Sequence, residues 1–163
     1  MDSDILQEVL SHYTVNNGRM EAFQMGSNDV TLNLAKNPVG ANMTLRVMNE
    51  MQGEKELLFV LNDNIADGLD VSWIWDINFS TFRNVTRVVT SGTRAYDIAV
   101  RIKCSGYDAR NIVVRPDLDE AVAELNTTQG KKFVIANYTA VQPTRSALQR
   151  WIAHHGGAAH ETN

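Results

Sequence analysis

Residues 57–76 read LLFVLNDNIADGLDVSWIWD, and the architecture can be built from them. Leu57-Leu58-Phe59-Val60-Leu61 is a short, uninterrupted apolar run with charge before it, the composition of a strand buried on both faces. A half-exposed strand would alternate. This one does not, so layers must cover it on either side. Directly after the run come Asn62, Asp63, Asn64, Asp67, Asp70 and Asp76, with Trp73 and Trp75 among them. That segment lies at the strand's carboxyl end, where open parallel α/β sheets gather ligands and reacting groups. Capping of a turn or helix accounts for one such aspartate. Four aspartates and two asparagines exceed what capping needs and mark a candidate site.

On both sides of this stretch, hydrophobic spacing predicts strands alternating with helices. A first helix is expected at about Ser3–Tyr13, with Ile5, Leu6, Val9 and Leu10 on one stripe, ending before Asn16-Asn17-Gly18. Two short strands near 19–24 and 30–34 follow, joined by a turn at 26–29. A helix runs from Pro38 to about Gln52 and stops at Gly53. Beyond the acidic segment come a strand at 84–90 and a helix at 94–103, whose Ala95, Ile98, Ala99 and Ile102 share a face. Then follow a strand at 111–115, a helix at 118–125, a strand at 132–136 and a last helix from about Pro143 to His154. The tail after Gly156 reads as frayed. The expected fold is α/β, a Rossmann-like doubly wound, mostly parallel sheet, with one antiparallel element from the early strand pair.

A chain of 163 residues is long enough for one domain with a proper core. Fifteen basic against nineteen acidic residues, a net charge of −4, give no general attraction to nucleic acid. Cys104 is the only cysteine, which excludes an intramolecular disulfide and a multi-cysteine zinc site. It is expected to be structural and half-buried at a helix end. No apolar stretch reaches membrane-spanning length, and MDSDILQEVL carries acid where a signal peptide carries base. A cytoplasmic chain with no transmembrane segment is expected.

Neither a P-loop nor a G-x-G-x-x-G after a strand occurs. His12, His154, His155 and His160 lie near the termini, far in sequence from the acidic segment. The carboxylates therefore read as half of a site that a second chain completes, with a divalent metal or acid–base work as the other chemistries open to them. Asp70 stands between Gly68, which permits a sharp turn, and Val71-Ser72-Trp73-Ile74, which would anchor the loop. Its bland role is an N-cap bonding the amide of Trp73. Leu34–Gly40, with Lys36 and Asn37, and Ser91–Arg94 are further strand-to-helix turns whose first amides favour an anion.

NNGRMEAF (16–23), LAKNPVGANMTLR (34–46), LNDNIADGLDVSWIWD (61–76), SGTRAYDIAVRIK (91–103) and IANYTA (135–140) resemble, in order and spacing, the C-terminal domain of the MurT family. That family is the Mur-ligase-like subunit of the glutamine-dependent lipid II isoglutaminyl synthase. The resemblance implies a Mur ligase C-terminal fold and a heterodimer with a GatD-type glutaminase that carries a Cys-His pair. Ammonia from the glutaminase would amidate the α-carboxylate of D-glutamate in the lipid II stem peptide, after ATP activates that carboxylate. This is ATP-dependent carbon–nitrogen ligation with glutamine as amido donor, in peptidoglycan synthesis at the inner face of the membrane. The family's motif aspartate falls on Asp70, which is thereby implied to complete the glutaminase triad across the interface.

More loosely, NGRME resembles the Gly-Arg-x-Glu strand of Mur ligase C-terminal domains. LAKNP resembles their Asp-x-Ala-His-x-Pro turn, with Asn33 and Lys36 in place of the acid and the histidine. Asn62, Asp63, Asn64, Lys36 and Asn37 are thus expected at a nucleotide or acceptor cleft. The resemblance also implies that residues 1–17 are a hinge helix and linker from an ATP-binding central domain absent here, and that 18–155 are the C-terminal domain proper, with 156–163 a tail. ATP and Mg²⁺ would act in the full-length subunit and zinc in that central domain, with no cofactor in this chain and no ligation by it alone. Two other readings stand beside it: a non-catalytic Rossmann-like docking or ligand-binding module, and a metal-dependent enzyme built on Asp63, Asp67 and Asp70.

Overall fold

A computed structural model describes residues 19–156; the helix expected at 3–13 and the tail lie outside the described residues. The described residues form a six-stranded sheet of β1 (Glu21–Met25), β2 (Asn28–Leu34), β3 (Lys55–Val60), β4 (Val85–Ser91), β5 (Ile112–Val114) and β6 (Lys131–Ala136), in the order β1-β2-β6-β3-β4-β5. The β1–β2 hairpin is antiparallel and every other pairing is parallel. With β6 on one side and β4 on the other, β3 is central, and all six of its residues are buried, as its unbroken apolar run requires.

Side chains alternate between two cores with the period of a strand. Leu57, Phe59, Val88, Phe133 and Ile135 face α1 (Pro38–Glu50) and α2 (Ala95–Cys104), meeting Leu45, Met48, Ile98 and Ile102. Leu58, Val60, Val89, Val134 and Ala136 face α3 (Leu118–Leu125) and α4 (Tyr138–His155), meeting Val122, Leu125, Val141 and Leu148. Each of the larger of these side chains, from Val upward, contributes about 1.5–3 kcal/mol on burial. Three crossovers, β2 to β3, β3 to β4 and β4 to β5, run over the first face. The return from β5 to β6 runs over the second and inserts β6 between β2 and β3. The carboxyl ends of β2, β6, β3 and β4 therefore share one edge, at the point where the winding reverses.

Two local differences from the sequence reading, at the last helix and at Cys104, have physical causes, and so does the form of the β3–β4 crossover. The last helix begins at Tyr138 rather than Pro143, because the ladder starts on the carbonyl of Asn137, which accepts from the amides of Ala140 and Val141 at 3.0 Å. Pro143 is exposed and costs that helix one internal hydrogen bond. The β3–β4 crossover contains no α-helix. It folds into 3-10 turns at Ile65–Asp67, Ser72–Asp76 and Phe79–Thr81, because its Asn, Asp and Ser side chains compete for backbone donors, while Val71, Ile74, Ile77 and Phe79 are buried against the sheet. Cys104 is exposed, not half-buried: Ile98 and Ile102 fill the core, and a residue two places beyond Ile102 points away from it.

Candidate functional site

Asn137, at the end of β6, holds the edge together. It is 2% exposed. Its Oδ1 accepts from the Asn62 amide at 3.0 Å and its Nδ2 donates to the Asn62 carbonyl at 2.7 Å. Beyond the strand the chain has left the ladder, and this one side-chain amide replaces the lost backbone partners. The Asn62 Oδ1 accepts in turn from the Thr93 amide at 3.1 Å. Gly92, next to Thr93, sits at φ +92 with the Leu61 carbonyl pressed against it; a Cβ there would lie 2.5 Å from that oxygen. No other residue fits this approach.

The acidic side chains find separate partners. Asp63 accepts from the Thr93 hydroxyl at 2.8 Å and lies 3.5 Å from Arg94, which also reaches Asp97 at 3.0 Å. Asp67 takes the amide of Thr139 at 2.8 Å, its hydroxyl, and the amide of Asn64 at 3.2 Å, pinning the 65–67 turn to the start of α4. Asn64 donates to the Thr139 hydroxyl at 2.8 Å. Among the described residues no three His, Cys, Asp or Glu side chains converge as a metal site. The reading of Asp63, Asp67 and Asp70 as one metal-binding trio is thus corrected: each carboxylate faces different neighbours.

Asp70 differs from the rest. Its carboxylate is exposed, accepts from the Ser72 amide at 2.8 Å, and pairs with no cation among the described residues. The bond to Ser72, an Asx turn, replaces the expected cap on Trp73. The Ser72 amide, with its side chain in support, holds the Asp70 pKa below the usual carboxylate value. Around it lies a shallow groove of about 440 Å³, rimmed by Leu69, Trp75, Tyr96 and Val100, which are 70%, 55%, 67% and 53% exposed. Trp75 stands out to solvent on this rim. Trp73 is instead half-buried and packs on the core.

Lys36 is exposed at the end of β2 and lines a cleft of about 240 Å³ with Asp67, Trp73, Asn137 and Tyr138. Asn37 caps α1, accepting from the Gly40 amide at 2.9 Å. Asn33 accepts from the Met20 amide at 3.1 Å and donates to the Thr44 hydroxyl, tying β2 to α1. The edge thus unites the three crossovers that the sequence singled out.

The family described as MurT ligase C-terminal matches residues 34–141. The MurT subunit of lipid II isoglutaminyl synthase (glutamine-hydrolyzing) from Staphylococcus aureus is 37% identical over 140 residues, 85% of this chain and 32% of that protein. Its counterpart from Streptococcus pneumoniae is 32% identical over 150 residues, 90% of this chain and 34% of that protein. This chain belongs to the MurT ligase C-terminal family. It spans about a third of the length of these MurT relatives. Among solved structures, the fold resembles UDP-N-acetylmuramate-alanine ligase MurC from Thermotoga maritima, with a TM-score of 0.64 at 11% identity over 93% of this chain and 33% of that one. Folylpolyglutamate synthase from the same organism gives 0.59 at 19% identity, over 91% and 34%. The architecture is therefore that of a Mur ligase C-terminal domain, and every candidate site residue of this MurT family member falls within the matched span.

Residue-by-residue reading missed Asn137 and Thr139 as edge residues, although both lie in the IANYTA segment. Their signal was an asparagine directly after a buried strand, a helix cap hidden by Pro143 further on. Arg101 was missed as well, because an arginine on a helix carries no mark of what its head will meet.

Proposed function

We propose that this chain is the C-terminal domain of a MurT-type subunit of lipid II isoglutaminyl synthase, and that it docks a glutaminase and supplies Asp70 to the partner's Cys-His pair. One observation carries the reading: Asp70 is an ionised carboxylate, turned to solvent, with an orientation fixed by the Ser72 amide at 2.8 Å. The third member of such a triad must be ionised, fixed and able to accept an imidazole N–H, so that it sets the histidine's tautomer and stabilises the imidazolium. The apolar rim of Leu69, Trp75, Tyr96 and Val100 suits a protein surface that excludes water from that contact. The absence of a histidine beside Asp70 in sequence fits the same division of labour between chains.

Ammonia released by the glutaminase would then serve amidation of the D-glutamate α-carboxylate of lipid II, with ATP and Mg²⁺ acting in the longer subunit on the cytoplasmic side of the membrane. At the other end of the edge, Lys36 pairs with no carboxylate among the described residues, and its ammonium is available to an anion such as a phosphate or the acceptor's carboxylate. Asn62 backs that cleft through Asn137, and Asn64 through Thr139 and Asp67; Asp63, held by Thr93 and Arg94, lies beside it on the same edge, and Asn37 fixes the helix start at its rim. Light-scattering titration of this chain against a purified GatD-type glutaminase tests the docking. A one-to-one complex is expected; two independent species at tens of micromolar would contradict it.

A further inference from the structure

We propose that Arg101 is the positioning residue for Asp70: it clamps the far end of the Ser72–Asp76 turn whose first amide orients that carboxylate. Arg101 projects from the last turn of α2 into the carbonyls that close this segment. Its Nε donates to Ile74 O at 3.2 Å, and its Nη2 donates to Trp75 O at 3.3 Å and Ile77 O at 2.6 Å. The guanidinium lies 5.4 Å from the Trp75 ring centroid and 5.5 Å from that of Phe79. It pairs with no carboxylate among the described residues. The Ile74 and Ile77 carbonyls also accept from the amides of Ile77 and Phe79, so Arg101 adds a second bond to each and reaches the Trp75 carbonyl besides; the planar fork of an arginine spans all three, which the single ammonium of a lysine does not.

The other end of the same turn begins at Ser72, whose amide has no acceptor inside the turn and donates to Asp70 instead. Fixing the carbonyl end thus fixes the amide end, and the amide fixes the carboxylate. Trp75, held by both its carbonyl and its ring, is set on the rim of the groove in the same act. The positioning stands on these contacts alone; its use in glutamine hydrolysis rests on the role proposed for Asp70 above.

The test is an NMR titration of the side-chain carboxyls in this chain and in Arg101→Lys. In the unaltered chain Asp70 is expected to titrate below an ordinary aspartate, and in Arg101→Lys to return to the ordinary value. Asp108, held down to about 2 by Arg110 at the opposite end of the sheet, is expected to stay low in both. An unchanged Asp70 in Arg101→Lys overturns the proposal, and so does a release of both carboxyls, which would make Arg101 a support of the whole fold. A check needing no substitution is amide exchange at Ser72, expected to be at least about 10-fold slower than in a free peptide; exchange at the free rate also overturns it. In a complex with the glutaminase, Arg101→Lys should lower kcat about 10- to 100-fold with the KM for glutamine unchanged, and should add nothing in an Asp70→Asn background. Release of Asp70 alone in Arg101→Lys, with turnover unaffected by either substitution, would uphold the positioning and remove the role of Asp70.

Discussion

Asn137 satisfies both backbone groups of Asn62, its Oδ1 3.0 Å from the amide nitrogen and its Nδ2 2.7 Å from the carbonyl oxygen. Two strands that have run out of ladder are joined by a single side chain, and the loop carrying Asp63, Asp67 and Asp70 starts from that joint. Asn137→Ala leaves an amide and a carbonyl without partners at the sheet edge, so a loss of about 1–3 kcal/mol in urea unfolding is expected. Amide exchange between 62 and 67 should accelerate more than in the β3 core.

Gly92→Ala meets two penalties at once, the left-handed backbone at φ +92 and a methyl group 2.5 Å from the Leu61 carbonyl oxygen. The neighbour is backbone and cannot swing aside. A destabilisation of about 3 kcal/mol or more is expected, read as a fall in the urea midpoint.

The amino end of the sheet predicts how stability varies with pH. Lys55 and Lys132 are each about 1% exposed, and burial holds both below the ordinary lysine value, with Glu56 at 3.0 Å opposing the shift at Lys132. The unfolded chain binds those protons more tightly, so stability should rise with pH from the folded-state values up to about 10. Tyr107, pushed up to about 12 by burial and the nearby charge of Asp108, has the opposite sign: the unfolded chain loses this proton first, and stability should fall between about 10 and 12. Chemical denaturation from pH 7 to 12 should show a rise followed by a fall. Glu56→Gln, which strips Lys132 of its counter-charge, is expected to cost about 3–5 kcal/mol, and replacing both residues by apolar ones of similar volume should cost less.

What the sequence made legible follows from how local each cause is. The apolar run at Leu57–Leu61, the proline opening α1 and the face formed by Ala95, Ile98, Ala99 and Ile102 are local signals, and those elements lie where they were expected. The segment stands out because too many carboxylates follow one strand, and Asp70 within it by its place between Gly68 and Val71-Ser72-Trp73-Ile74 and by the family resemblance. Its bond to Ser72 rather than Trp73 depends on a 3-10 turn that Arg101 and the sheet impose from afar. Lys55 and Glu56 read only as charge before the apolar run and Lys132 as the first residue of a strand, yet all three are buried, because β3 and β6 are both central and their first residues lie beneath neighbouring elements. Contacts such as Asn28 to Asn126 at 2.6 Å join residues distant in sequence, and no local pattern announces them.

The rim of the Asp70 groove can be tested apart from Asp70. Leu69→Asp and Tyr96→Glu alter exposed side chains, so folding stability should stay within about 0.5 kcal/mol. Affinity for the glutaminase should fall about 10- to 100-fold for either substitution if these residues anchor the contact. Titration calorimetry of each variant gives the answer, with Arg150→Glu, which breaks the surface pair with Asp119 away from the groove, as a substitution expected to leave that affinity unchanged.

The central claim is that Asp70 completes the partner's triad, and ammonia release from glutamine by the complex measures it directly. With Asp70→Asn, which keeps the size and the Ser72 contact but removes the charge, complex formation should persist while turnover falls about 10³- to 10⁴-fold. Undiminished turnover in a stoichiometric complex would contradict the claim and leave this domain as a docking surface alone.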